Sequence, residues 1–276
     1  MAAHQGGFSF ERYVDPTVYN LAHLYWTLGM LDLNNNDHID NFLLVTECNM
    51  FQTYVTNDLE WAEIRENTRN FLRENYRYFP TYFKISIPLY LRNYDTKLER
   101  FDVDQAKSAV DNARRIDTIY NTALTVCGKS GEIEGYPKNL ILLLNRPFNL
   151  PYVPVEMELA RLFLDERNSQ QIRHSLTTAT TKEAHERLAV LELMIRVHTY
   201  RETMTTVSGL LKAAVFAQID YIRVFADIGK EKLLYEQDMF ENQNRSVKRK
   251  SGPVVIDGKN MPQGPLFGTI VEDEEE

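Results

Sequence analysis

ERLAVLELMIRVHTYRETMTTVSGLLKAAVFAQIDYIRVFADIGKEKLLYEQ, residues 186–237, is the longest apolar-rich stretch of the chain, and its reading decides the fold. Counted by twos, Ala189, Leu191, Leu193, Ile195 and Val197 point to one side. Leu188, Val190, Glu192, Met194, Arg196 and His198 point to a more polar one. Such alternation marks a strand with one buried face. A second run repeats it with Ala213, Val215, Ala217, Ile219 and Tyr221 before the apolar phase moves to Ile222 and Val224, which predicts a bulge. The turn-like Asp227-Ile228-Gly229-Lys230 then pairs residues 224–226 with 233–235 as a hairpin. A helical reading competes: Thr180 and Glu183 form a capping-box pair ahead of Leu188, Leu191 and Ile195, and Val207, Leu210, Leu211, Ala214, Ile219 and Ile222 recur at a 3.6-residue period. The β-branched and aromatic density of residues 219–225 favours strands.

A chain of 276 residues can bury a substantial core as one large or two small domains. Its net charge of -8 argues against a broad nucleic-acid-binding face, which needs clustered Lys and Arg. Much of that charge sits in Glu-Asp-Glu-Glu-Glu at 272–276, so the body is nearer neutral. Cys48 and Cys127 lack CxxC spacing and read as reduced, buried small hydrophobes of a cytoplasmic protein. The N-terminus has neither a basic start nor an apolar run of signal-peptide length, and no segment is long enough to span a bilayer, so a soluble protein without membrane insertion is expected.

Residues 1–12 read as a flexible arm. Asp15-Pro16 then opens a helix to about residue 31 with Val18, Leu21, Ala22, Tyr25 and Leu28 inward. Asp32, Asn34, Asn36 and Asp40 fall at ligand positions of a calcium loop. The sixth position is Asp37 instead of glycine and the twelfth is Leu43 instead of a bidentate carboxylate, so a turn that caps the next helix is the preferred reading. Residues 58–78 read as a helix with Leu59, Ala62, Ile64, Phe71, Leu72 and Tyr76 inward. Residues 83–91 alternate as a strand, and Pro88 puts it at an edge. Residues 104–126 read as helical, 140–144 as a strand, and Pro154 opens a helix to 165 with Met157, Ala160, Phe163 and Leu164 inward. Gly128-Lys129-Ser130-Gly131 is not a phosphate loop, because the first glycine of that motif would fall on Ala123.

The six histidines give no HExxH pair and no zinc spacing, and no GxSxG, GxGxxG or kinase set occurs. No cofactor is expected. Beyond residue 240 the composition turns polar, with apolar islands at Val254, Val255 and Ile256 and at Leu266, Phe267, Ile270 and Val271. Islands of this kind dock on sheet edges or grooves of other chains.

Arg146-Pro147-Phe148-Asn149-Leu150-Pro151, Val153-Pro154-Val155, the run 160–165, and later Val224-Phe225-Ala226-Asp227 and Leu233-Leu234-Tyr235-Glu236 resemble a pattern in uncharacterised bacterial proteins. The resemblance covers about the middle three fifths of the chain. It implies a bacterial origin and a β-rich topology, and no activity.

The expected fold is α+β: a helical N-terminal half, an antiparallel, hairpin-rich sheet, one domain over 13–240, and an extended tail over 241–276. The expected function is that of a non-catalytic adaptor or scaffold subunit of a larger bacterial assembly, secretion or envelope-associated, binding other protein subunits through its tail. The rival is an enzyme or small-ligand binder with a pocket between helices and sheet.

Overall fold

Residues 187–238 form the strands that their alternation predicts. In the computed structural model, which describes residues 9–119, 121, 123–175 and 187–239, β6 (Arg187–Thr205) and β7 (Leu211–Phe225) make a long antiparallel hairpin, and β8 (Leu233–Asp238) returns along β7. The five inward residues from Ala189 to Val197 are all buried, and Leu191 and Leu193 lie opposite Val224 and Ile222. Met194 faces Tyr221 but Ile195 faces Ile219, so Asp220 is the extra residue of a bulge. The phase change read at residues 221–222 is the trace of that insertion. Two further register shifts, between Val197 and Thr199 and between Tyr200 and Glu202, bend the hairpin. Thr180 and Glu183, the capping pair of the helical alternative, lie outside the described residues.

The other strands are β1 (Tyr82–Asp95), β2 (Arg100–Val103), β3 (Ala113–Asp117), β4 (Asn139–Phe148) and β5 (Tyr152–Pro154). Among the described residues they join one eight-stranded sheet in the order β3-β4-β7-β6-β1-β2-β5, with β8 also on β7. The sheet is not wholly antiparallel: β4 pairs with β7 in parallel, from Asn139 opposite Lys212 to Leu144 opposite Ala217. Leu140, Ile141 and Leu142 are buried in succession, as a strand covered on both faces requires. Pro88 lies inside β1, which pairs with β6 from Tyr82 to Leu91. In the same phase, the amide of Lys84 donates to Val14 O and that of Tyr90 to Ser108 Oγ. The nitrogen of Pro88 therefore faces the side of β1 away from β6, and the strand is an edge only there.

Helices precede the sheet: α1 (Val18–Thr27), α2 (Asn36–Thr46), α3 (Cys48–Tyr54) and α4 (Asp58–Asn75), followed by a 3-10 turn at Tyr76–Tyr78. The cap of α1 is Thr17, whose hydroxyl accepts from Asn20 N at 3.2 Å, two residues later than the Asp15-Pro16 start. Asn35 and Asn57 cap α2 and α4. Leu21, Leu24, Tyr25, Ile39, Phe42 and Leu44 share one core with Phe83, Ile85, Leu89, Leu191 and Leu193.

Four expectations need correction. Residues 104–126 are not a helix: α5 (Gln105–Ser108) lasts one turn, Ala109 and Asn112 take φ of 53° and 46°, and β3 follows. In α4 the buried residues are Trp61 and Leu72, whereas Leu59 is 85% exposed and Ala62 is exposed, so the inward stripe is turned from the one expected. Cys48 and Cys127 are not reduced thiols. They form a disulfide across a sequence separation of 79, with Cα atoms 5.3 Å apart. After β5, α6 (Met157–Ser175) buries Ala160 and Phe163 as read, but Met157 is exposed.

Candidate functional site

Helix α4 carries apolar residues on two sides. One side feeds the core through Trp61 and Leu72. The other, at Ile64, Asn67, Thr68 and Phe71, follows the i, i+3, i+4, i+7 spacing of a single face and lines an open groove of about 350 Å³ against α1, α2 and the start of α3. Phe42 and Leu43 form its floor, and Tyr19, Met50 and Phe71 its rim, with Phe71 46% and Met50 39% exposed. His23 belongs to the floor. Its Nδ1 lies 2.9 Å from Tyr19 O, and its ring stands 4.5 Å from the ring of Tyr19, 5.2 Å from Phe42 and 4.5 Å from Phe79. Burial pushes its pKa below the ordinary histidine value, so at neutral pH the ring is uncharged and acts as an apolar wall.

Glu47 lines the groove, and Glu60, Glu63 and Glu74 stand one helical step from its α4 stripe, all exposed. The α3 wall hangs on few contacts and buries no residue. The Cys48–Cys127 bond pins its first residue, the Phe51 ring meets Trp61 edge-on at 5.5 Å, and Lys129 Nζ lies 5.7 Å over Phe51.

Of the calcium-loop residues, Asp32, Asn36 and Asp40 have side-chain oxygens engaged within the protein, and Asn34 donates to Asp32. Asp32 Oδ1 accepts from Asn34 N at 2.9 Å, and Asn36 Oδ1 accepts from Arg69. Asp40 receives Arg65 on both oxygens, at 2.6 and 2.5 Å, and Trp61 Nε1 at 3.1 Å. The turn they make leads into the Asn35 cap of α2, where Asn35 Oδ1 accepts from Asp37 N at 2.8 Å. Among the described residues, no group of three or more His, Cys, Asp or Glu side chains is placed to hold a metal ion, and no helix is long and apolar enough to cross a membrane. Val254, Val255, Ile256, Leu266, Phe267, Ile270 and Val271 lie outside the described residues.

The polar side of the sheet holds two buried carboxylates. Asp220, at the bulge of β7, is wholly buried. Tyr13 donates to its Oδ2 at 2.9 Å, and Arg196 Nη2 is 3.5 Å from its Oδ1. Burial pushes the pKa of Asp220 up, against the pull of Tyr13 and Arg196, and burial also raises that of the Tyr13 hydroxyl. Tyr13 is delivered there because Val14 bridges to β1, with Val14 N donating to Tyr82 O at 3.1 Å. The described end of the N-terminal arm is thus laid on the sheet, with Phe10 edge-on to Tyr221 at 5.2 Å and Arg12 4.4 Å over Tyr82. Glu192 of β6 is the second acid, 2.5 Å from Lys230 Nζ and 3.6 Å from Arg223 Nη1.

Sequence reading singled out none of His23, Tyr13 or Asp220 as functional. Asp220 had a signal, since it stands beside the residue where the apolar phase shifts. His23 had one too, lying four residues after Tyr19 on the apolar side of α1. Tyr13 had none, because its partner is 207 residues away.

No curated protein and no solved structure matches the chain. Residues 34–166, which run from the turn before α2 into α6 and include the α2, α3 and α4 walls of the groove, match the model of a family described as a domain of unknown function (DUF4852), so over that span the chain is similar to an uncharacterised family.

Proposed function

We propose that the protein is a non-catalytic adaptor subunit of a larger assembly, and that the groove between α1, α2 and α4 takes an apolar segment of a partner protein flanked by basic residues. The observation that carries this reading is the combination of an apolar floor, half-exposed Phe71, Met50 and Tyr19 at the rim, and Glu47 as the one acid in the lining with exposed Glu60, Glu63 and Glu74 on the neighbouring turns of α4. Large apolar side chains left half in water gain about half of the full-burial value, roughly 0.7–1.5 kcal/mol each, when a partner completes their burial. A groove with such anchors fits the insertion of a helix or an extended segment. The glutamates add steering and choice of partner. The apolar islands at 254–256 and 266–271 belong to the same proposal as a further docking element, on the ground of sequence alone. The Cys48–Cys127 bond suits an oxidising compartment, so an envelope-associated setting replaces the cytoplasmic one in this reading.

Copurification from native cells tests it, comparing the wild type with Phe71→Asp and with a chain truncated after residue 240. A partner recovered with the wild type is expected to fall at least ten-fold with Phe71→Asp, whose circular dichroism and unfolding midpoint stay unchanged because Phe71 is half exposed. A strictly monomeric wild type, or a partner held in full by a Met50→Asp, Phe71→Asp double variant, overturns the reading.

A further inference from the structure

A second cavity, of about 260 Å³, opens on the polar side of the sheet where β1, β6 and β7 lie side by side and Phe10 crosses them. Three cations, Lys84, Arg223 and Lys230, line it against a single carboxylate, Glu192. The register explains the grouping: Glu192 lies opposite Arg223 on one side and Ser86 on the other, and Lys230 enters from the 227–230 turn with a φ of 58°. Glu192 is shared between Lys230 at 2.5 Å and Arg223 at 3.6 Å, so three cations face one carboxylate in the lining and the wall is net positive. The guanidinium of Arg223 lies 4.4 Å under the Phe10 ring and 5.3 Å from Phe225. Its Nε is buried and has no hydrogen-bond acceptor among the described residues, with Glu236 Oε2 at an ion-pair distance of 3.8 Å. Arg223 thus lacks its full set of acceptors, and an anionic oxygen at its guanidinium is the strongest one it can gain. Lys84 Nζ is 3.5 Å from Asp15, a carboxylate mostly in water and therefore a weak competitor.

We propose that this cavity binds a small organic anion, a carboxylate or phosphate monoester on a flat apolar body. Its oxygens accept from the Arg223 guanidinium and Lys84 Nζ, and its body lies against Phe10, Met194 and Phe225. The volume is just below the lower end of the usual ligand-pocket range of about 300–1,000 Å³, which limits the ligand to the size of benzoate or phenyl phosphate. The proposal is independent of the helical groove, and Phe71→Asp leaves it untouched.

Titration calorimetry on the full chain at low ionic strength tests it, with benzoate, phenyl phosphate, inorganic phosphate and neutral benzyl alcohol as probes. One of the two aromatic anions is expected to bind at a single site at least ten-fold more tightly than benzyl alcohol. Lys84→Met and, separately, Phe10→Ala are each expected to weaken it at least ten-fold. Neither residue is fully buried, so circular dichroism is expected to show both variants folded. No heat from either aromatic anion at about 10 mM overturns the proposal. So does binding that both variants leave unchanged, or inorganic phosphate binding as tightly as phenyl phosphate.

Discussion

Replacing Cys48 and Cys127 with serine is expected to lower the unfolding free energy by about 4.5 kcal/mol. The bond joins residues 79 apart in sequence, and its main effect is on the unfolded chain, whose freedom it restricts. In the chain-entropy account the stabilisation grows with the logarithm of loop length, from about 3 kcal/mol for 15 residues to about 4.7 for 100, which puts this loop near the upper value. For a chain of this size each kcal/mol moves the thermal midpoint by about 2–4 °C, so a loss of about 9–18 °C follows. The urea m-value should rise as well, because the uncrosslinked chain exposes more surface on unfolding. Far-UV circular dichroism of the wild type and the double serine variant, under oxidising conditions, measures all three. The folded state adds a local term: α3 buries no residue and is fixed at Cys48, so amide exchange over residues 48–54 should quicken more than in β6. A midpoint within about 2 °C of the wild type, with an unchanged m-value, would refute the reasoning.

Asp220 should give the fold a pH dependence opposite to that of an ion-paired surface acid. Its folded pKa is raised by burial, so the stability linked to it is complete below the unfolded value of about 3.9 and is lost as pH rises through the folded value. Asp220→Asn, which keeps an acceptor for Tyr13, is expected to flatten that branch of the urea midpoint, and parallel curves for the two proteins would count against it. His23 acts on the other side: its folded pKa is depressed by burial, so its contribution is present above about 6.5 and is lost as pH falls through the folded value. His23→Phe should remove this acid-side loss, and an undiminished loss in the variant would show that another group titrates. Pro88→Ala is expected to cost only about 0.4–1 kcal/mol through the freer unfolded chain, since the nitrogen faces no strand. A gain in stability, measured by urea unfolding, would mean that the new N–H completes a ladder bond.

What could be read from the sequence is what repeats at short range. The alternation of residues 189–197 gave the buried face of β6, and the phase change near Tyr221 gave the bulge, because both are periodicities within one strand. The parallel pairing of β4 had a local trace too, in the unbroken apolar run of residues 140–144, but a hairpin-rich expectation passed over it. The helix expected over 104–126 fails at Ala109 and Asn112, two positive-φ positions that carry no glycine, so the sequence lacks the usual punctuation there.

The candidate sites were illegible for a different reason. In α4 the 3.6-residue period holds equally for the face that enters the core and for the face that lines the groove. Apolar spacing alone cannot separate Leu72, which is buried by the chain itself, from Phe71, which stays half exposed at the groove. Tyr13 with Asp220, Glu192 with Lys230 and Cys48 with Cys127 are pairs 207, 38 and 79 residues apart, and no motif spacing survives such distances. Each lies where a loop or the N-terminal segment comes back onto another element: residues 10–14 onto β1 and the 227–230 turn onto β6, both legible as strands, and the 127 turn onto α3, which had no clear period. The regular elements explain why the chain folds. The returning segments close over polar residues that a bare sheet or helix would leave in water, and that is where a buried acid, a guanidinium N–H without a hydrogen-bond acceptor and a cavity become possible together.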